Sequence, residues 1–326
     1  MKRTVTLPEI RSVYHLPLFE LIEKARKVYK ENWHATEVQL CTLLSIKTGG
    51  CSEDCGYCAQ SAKNNTGLKA ERLLPVEEVL EKATLAKQNG STRFCMGAAW
   101  KGIREDDPRF DEILEMVQGV TGMGLEACVT LGSLTAGGAR RLKAAGLDAY
   151  NHNIDTSPEY YDKIVTSHTF QDRLNTIKHV QEAGISVCCG GIIGLGESED
   201  HRLQMLQVLT TFEPQPESIP INALVAVEGT PLEKQQPVNS FELIRLIATT
   251  RIFFPHAKVR LSAGRTSLSK EAQAMAFYSG ANSIFYGDKL LTTPNPDADE
   301  DLKLLRELDL LPEAPTPVAA EPLAPV

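Results

Sequence analysis

The sequence predicts an α/β protein, a (β/α)8 barrel of the TIM type with an N-terminal helical extension and a disordered C-terminal tail. Eight strand-like segments alternate with helix-like ones, and the step from strand to strand averages about thirty residues, the size of one βαβ unit. Polar residues also recur on one face of several strands, as a shared interior requires. An open doubly wound sheet fits less well, because no GxGxxG follows the first strand.

Taken in order, Leu18, Leu21, Ile22, Ala25 and Val28 recur at helical spacing and predict an amphipathic helix over 14–30. Strands follow at 39–46, 92–98, 126–131, 149–155, 186–193, 218–225, 258–263 and 283–286. Helices at 76–88, 109–122, 136–145, 170–183, 202–211, 241–253 and 268–279 lie between them. Asp107-Pro108 and Ser157-Pro158 read as helix starts, each a capping residue before a proline at the first helical position. Gly90, Gly146, Gly184 and Gly280 read as helix ends. The chain thus divides into a helical extension (1–36), a barrel (37–298), a helix (299–310) and a tail (311–326). Pro312, Pro315, Pro317, Pro322 and Pro325 dominate that tail, which has too little apolar surface to order itself.

Composition narrows the function. With 34 basic against 42 acidic residues the net charge is -8, which argues against a nucleic-acid partner. No apolar run is long enough to cross a bilayer, and residues 1–10 lack the apolar core of a signal peptide, so a cytoplasmic protein is expected. In a reducing compartment the 8 cysteines are metal ligands, catalytic groups or buried apolar residues rather than bridges.

Cys51, Cys55 and Cys58, spaced CxxxCxxC after the first strand, are the sharpest signal. Three thiols cannot pair off as disulfides, and a closed zinc site needs a fourth ligand that the 7 histidines, none within thirty positions downstream, do not readily supply. A metal cluster with one open position fits better. Period-2 alternation places Asn151, Asn153 and Asp155 on one strand face and Tyr150, His152 and Ile154 on the other. By the same rule Cys95, Cys128, one of the pair Cys188 and Cys189, and Arg260 can point inward. Cys41 and Cys189 read as small buried apolar residues.

CxxxCxYC after the first barrel strand resembles the signature of the radical S-adenosylmethionine enzymes, in which three cysteines bind a 4Fe-4S cluster. The stretches RFCMGAAW (93–100), YNHNIDT (150–156), GGIIGLGE (190–197) and VRLSAGR (259–265) are similar to the biotin synthase family within that group. The resemblance runs from about residue 43 to 296.

The resemblance implies a sulfur-inserting transferase that converts dethiobiotin to biotin by a radical made from S-adenosylmethionine. It implies that Cys51, Cys55 and Cys58 hold the 4Fe-4S cluster, and that Cys95, Cys128, Cys188 and Arg260 hold a 2Fe-2S cluster donating the sulfur. A guanidinium is a poor metal donor, so Arg260 also reads as a counter-ion for cluster charge. Tyr57, Gly97, Asn153, Asp155, Gly190 and Gly191 are implied on the cofactor. Asn151, Asn153 and Asn222 are implied on the substrate. A flavodoxin or ferredoxin reductant, iron-sulfur assembly machinery and a homodimer are implied as partners. Another radical enzyme of this barrel type, or a non-enzymatic iron-sulfur carrier, are the alternatives.

Overall fold

The computed structural model describes residues 4–287 and 289–314. Two helices, α1 (Leu7–Tyr14) and α2 (Leu18–Asn32), precede the barrel. Eight parallel staves follow: β1 (Glu37–Lys47), β2 (Arg93–Ala98), β3 (Glu126–Thr130), β4 (Ala149–Asn151), a stave broken into β5 (Ser186–Cys188) and β6 (Gly191–Ile193), β7 (Ser218–Ala223), β8 (Lys258–Leu261) and β9 (Ser283–Phe285). Gln39, Leu40 and Cys41 pair with Ser283, Ile284 and Phe285, so β9 closes on β1 and the sheet has no free edge there.

The outer ring is α3 (Val76–Gln88), α4 (Pro108–Gly122), α5 (Ala136–Ala144), α6 (Phe170–Glu182), α7 (Glu199–Thr210), α8 (Ser240–Phe253) and α9 (Lys270–Tyr278). Alternation then splits the buried residues in two. Phe94, Met96, Val129, Val259 and Cys189 face outward into the core shared with the helices. Cys41, Cys95, Cys128 and Ala149 face inward, against Phe285 and Leu290. Cys188 is therefore the inward member of its pair.

The N-terminal end of the barrel is plugged. Arg93 on β2 is buried and paired with Glu126 at 2.8 Å and Glu217 at 3.0 Å. A buried charge with two ion-paired partners, one of them hydrogen-bonded, keeps its ionisation, whereas a lone one is driven to neutralise. The opposite end, where a TIM barrel carries its site, stays open.

The barrel agrees with the sequence, and the departures have local causes. The helix expected over 14–30 is α2, which begins only at Leu18 behind Pro17. A helix before it, α1, was not expected; it begins with a reciprocal Thr6–Glu9 capping box and a proline in its first turn, a signal legible in TLPE. Ser157-Pro158 opens only a turn leading to a 3-10 segment, Tyr161–Lys163, and α6 starts at Phe170 behind its own cap, Thr169.

The last helix, α10 (Ala298–Glu307), stops short of the expected 310. Leu311 and Pro312 form β10, paired in parallel with the start of β1, so order extends past the expected boundary of the tail. The Leu311 N–H donates to Thr36 O (2.7 Å) and the Glu313 N–H to Val38 O (2.9 Å), satisfying backbone groups that a bare strand start would leave unpaired. The rest of the tail, 315–326, lies outside the described residues.

Candidate functional site

The cysteine loop is built before any ligand arrives. Leaving β1, Gly49 and Gly50 both take φ of +68°, a left-handed conformation that turns the chain across the barrel mouth. The loop then bonds to itself: Cys51 N–H to Gln60 O (3.0 Å), Ala62 N–H to Cys51 O (2.7 Å), and the Asn64 amide to the carbonyls of Cys55 (3.1 Å) and Cys58 (2.8 Å). Asp54 accepts the backbone N–H groups of Thr166 and Ser167, both at 3.0 Å, which fastens the loop to the far side of the barrel. Burial raises the pKa of all three thiols, and Asp155 adds to the effect at Cys55. Deprotonation of this set therefore calls for a bound cation.

A cavity of about 340 Å³ runs down from this loop. Cys51, Cys55, Tyr57 and Cys58 line its mouth, Asn151, Asn153, Asp155 and Asn222 its middle, and Cys95, Cys128 and Arg260 its floor. Cys188 does not line the cavity, but it touches the floor: Arg260 Nη1 lies 3.7 Å from its sulfur, and the Asn151 amide donates to it at 3.2 Å. Thr130 Oγ1 in turn donates to Asn151 Oδ1 (3.1 Å), fixing which way that amide faces.

On the floor, a hydrogen bond from Cys128 holds the Cys95 thiol below its ordinary pKa, helped by Arg260 and Arg93, while the same bond and burial raise Cys128. Burial alone would lower the pKa of Arg260. Cys41, Cys188 and Cys95 outweigh that and keep it charged. Its Nε donates to Ser283 Oγ (2.9 Å). Cys41, read from sequence as an apolar filler, is buried beside this group, 3.6 Å from the same Ser283 oxygen.

Asn153 and Asp155 reach the cavity by a route other than strand alternation. β4 ends at Asn151, and the chain continues as an irregular segment. Asn153 Oδ1 accepts the Gly190 N–H at 3.0 Å. Asp155 has φ +64°, a left-handed conformation costly for a side chain other than glycine. Its carbonyl accepts the Ile192 N–H at 2.7 Å, and its carboxylate is paired with Arg173 at 2.8 Å. Because the strand ends early, His152, which alternation assigned to the outer face, also lines the cavity.

Gly97, Gly190 and Gly191 do not line the cavity; what they spare is room between protein elements. A Cβ at Gly97 would lie 2.5 Å from a Leu291 methyl, at Gly190 2.0 Å from the Pro220 carbonyl oxygen, and at Gly191 2.7 Å from the Asp155 oxygen. Gly190→Ala is expected to destabilise the fold by about 2 kcal/mol or more, because a backbone oxygen in a strand cannot give way. The midpoint of a denaturant titration measures it. Asn222 is spent partly on backbone, donating to Gly191 O (3.0 Å) and accepting from Ala263 N–H (3.3 Å).

Arg173, His168 and Glu53 also line the cavity and were not singled out from sequence. Arg173 is near-buried and stays charged: burial opposes its charge, and Asp155, Tyr57 and Tyr161 overcome that. Among the described residues no three His, Cys, Asp or Glu side chains converge on one ion position. A cluster does not ask for that, since each thiolate takes a different iron. Among the described residues no helix is long and apolar enough to cross a membrane.

Residues 45–209 match the model of the radical SAM superfamily, and 220–311 that of the biotin and thiamin synthesis associated domain. The chain is 54% identical over 310 residues to a biotin synthase of Myxococcus xanthus (strain DK1622), covering 95% of this chain and 89% of that one. It is 56% identical to a biotin synthase of Methylobacterium sp. (strain 4-46), covering 93% and 91%. Among solved structures, methylornithine synthase superposes with TM-score 0.78 at 20% identity, over 96% of this chain and 95% of that one. The FeFe-hydrogenase maturase HydG from Carboxydothermus hydrogenoformans superposes with TM-score 0.80 at 18% identity, over 95% and 76%. These two bear on the fold alone. With more than half the sequence shared across nearly its full length, the chain belongs to the biotin synthase family of the radical S-adenosylmethionine superfamily.

Proposed function

We propose that this chain inserts sulfur into dethiobiotin to form biotin, with Cys51, Cys55 and Cys58 holding a 4Fe-4S cluster and Cys95, Cys128, Cys188 and Arg260 holding a 2Fe-2S cluster. The observation that carries the reading is the division of the cavity into two thiol sets, one at the mouth and one at the floor, with an amide and carboxylate belt between them. When bound, the first cluster with S-adenosylmethionine supplies a 5'-deoxyadenosyl radical and the second supplies the sulfur.

The residues suit these groups. Ser218 Oγ, on the β7 face shared with Pro220 and Asn222, is buried without a hydrogen-bond partner, as is His152 Nε2. Buried polar atoms of this kind ask for a ligand. The Asn151 amide aimed at the Cys188 sulfur suits a thiolate better than a thiol, since a thiolate only accepts.

Each remaining role follows from placement. Cys51, Cys55 and Cys58 would hold the cluster that binds S-adenosylmethionine, and Tyr57 and Asn153 would border its nucleoside. Asp155 accepts a ribose hydroxyl, since an ionised carboxylate can only accept. Asn151 and Asn222 face the ureido ring, to which an amide both donates and accepts. Gly97, Gly190 and Gly191 act at one remove, by leaving room for Leu291 at the first, Pro220 at the second, and Met205 and Asp155 at the third. Arg260 neutralises thiolate charge on the floor whether or not it also binds iron. The buried floor argues against a carrier, which would have to expose its cluster to hand it on.

A flavodoxin or ferredoxin reductant, assembly machinery, a homodimer and a cytoplasmic location complete the proposal. It is tested by incubating anaerobically reconstituted protein with dethiobiotin, S-adenosylmethionine and a low-potential reductant. Biotin with 5'-deoxyadenosine is the expected result, and neither product from protein carrying both clusters would overturn the reading.

A further inference from the structure

We propose that Glu53, His168 and Tyr161 are positioning residues that join the cysteine loop to the Arg173–Asp155 pair, so that loop and nucleoside site form one mechanical unit; this rests on the reading of the cavity given above. The connection is a continuous chain of hydrogen bonds. Arg173 Nη2 donates to Asp155 Oδ2 at 2.8 Å and its Nε to the Tyr161 hydroxyl oxygen at 2.8 Å. Tyr161 lies 2.7 Å from His168 Nε2, and His168 Nδ1 lies 2.6 Å from Glu53 Oε2.

The donors settle the direction at the two ends. A guanidinium only donates, so the tyrosine oxygen accepts from Arg173, and a carboxylate only accepts, so the His168 Nδ1–H donates to Glu53. With a neutral imidazole, Nε2 then accepts the Tyr161 proton and the chain runs in one direction from Arg173 to Glu53. Lys101 closes it from a third side, its Nζ 3.4 Å from Glu53 and donating to Ser167 O at 3.0 Å.

Both ends of this chain matter to the site. Glu53 stands between Cys51 and Cys55, and its side chain is buried. Asp155 sits in a left-handed conformation that persists only where its surroundings over-determine it. The Ile192 N–H fixes its backbone and Arg173 fixes its carboxylate. Without Tyr161, Arg173 keeps its charge and loses the contact that aims it.

Tyr161→Phe is the clean probe, because the ring keeps its packing on Phe170 (5.3 Å between centroids) and loses only the hydroxyl. The dissociation constant for S-adenosylmethionine, measured by titration calorimetry on anaerobically reconstituted protein, is expected to rise roughly ten-fold. The visible absorbance of the clusters is expected to stay at the wild-type level.

His168→Leu is expected to match that loss. His168→Gln is expected to restore binding, since a carboxamide offers one donor toward Glu53 and one acceptor toward Tyr161. The double variant Tyr161→Phe with His168→Leu is expected to bind no more weakly than either single one, because both cut the same chain.

Wild-type affinity in Tyr161→Phe with intact clusters would overturn the inference. So would His168→Gln binding as weakly as His168→Leu, which would reduce the residue to packing. Should Tyr161→Phe fail to fold, the Leu and Gln variants at His168 decide alone. A wild-type protein that binds no S-adenosylmethionine would overturn the reading of the cavity and this inference with it.

Discussion

Cys55→Ala is expected to abolish 5'-deoxyadenosine formation and biotin formation together, while Cys128→Ala abolishes biotin formation and leaves S-adenosylmethionine cleavage measurable. The separation follows from depth. Cys55 belongs to the mouth set and packs with Tyr161, Ile164, Val165 and Leu195, whereas Cys128 belongs to the floor set with Cys41 and Cys95. No backbone hydrogen bond of the cysteine loop depends on Cys128, so its loss leaves the loop bonded as before. Iron should fall from about six to about two per chain in the first variant and to about four in the second. Biotin formation should drop by roughly 10³ or more in both, because ligands of one centre act as a unit. Iron analysis and product chromatography read the outcome. Equal loss of 5'-deoxyadenosine in the two variants would sink the assignment of separate roles to the two thiol sets.

Arg251→Ala is expected to be the most destabilising change away from the site. Arg251 on α8 is fully buried, and carbonyl oxygens surround it. It donates to Gly280 O at 2.8 and 3.0 Å, to Ala257 O at 2.8 Å, Pro255 O at 3.0 Å and Phe254 O at 3.3 Å, and to Asn282 Oδ1 at 2.9 Å. Tyr29 and Trp33 lie against its guanidinium with ring centroids at 5.2 and 5.8 Å. Burial pulls its pKa down to about 10, which still leaves it charged near neutral pH.

Truncation would leave several buried carbonyls without a donor at about 1 to 3 kcal/mol each, so a loss of at least about 3 kcal/mol is expected. Arg251→Lys should recover only part of it, since one ammonium cannot span the fan of acceptors. These contacts gather at the starts of β8 and β9, the end of the barrel opposite the cysteine loop. The midpoint of a guanidinium titration should therefore fall while affinity for S-adenosylmethionine in the folded protein stays unchanged. A variant as stable as wild type would show that the carbonyls find water instead.

The chain's sequence carries its barrel because the barrel rests on local periods. Alternation turned Cys95 and Cys128 inward, since each lies within a regular strand, and required Cys188 and Cys189 to part without saying which faces in. The same rule failed at His152, where β4 stops after Asn151 and alternation no longer applies. Pro17 starts α2 at Leu18, where apolar spacing alone carried the helix back to Tyr14. The resemblance placed Gly190 and Gly191 on the cofactor, and the tertiary structure adds that a Cβ there would meet Pro220 at the first and Met205 and Asp155 at the second.

The alternation of strand-like and helix-like segments thus carried the barrel from the sequence alone, and cysteine spacing with strand alternation carried the mouth thiols and the inward Cys95 and Cys128. Only the tertiary structure decided which charged groups fasten that site. Glu53 and His168 are 115 residues apart and Arg93 and Glu126 are 33 apart, and no local period links either pair. A helix or strand repeats its pattern within a few residues and so writes it into the sequence. A hydrogen bond across a closed barrel depends on how the staves come together, and that is fixed only when the ring is shut.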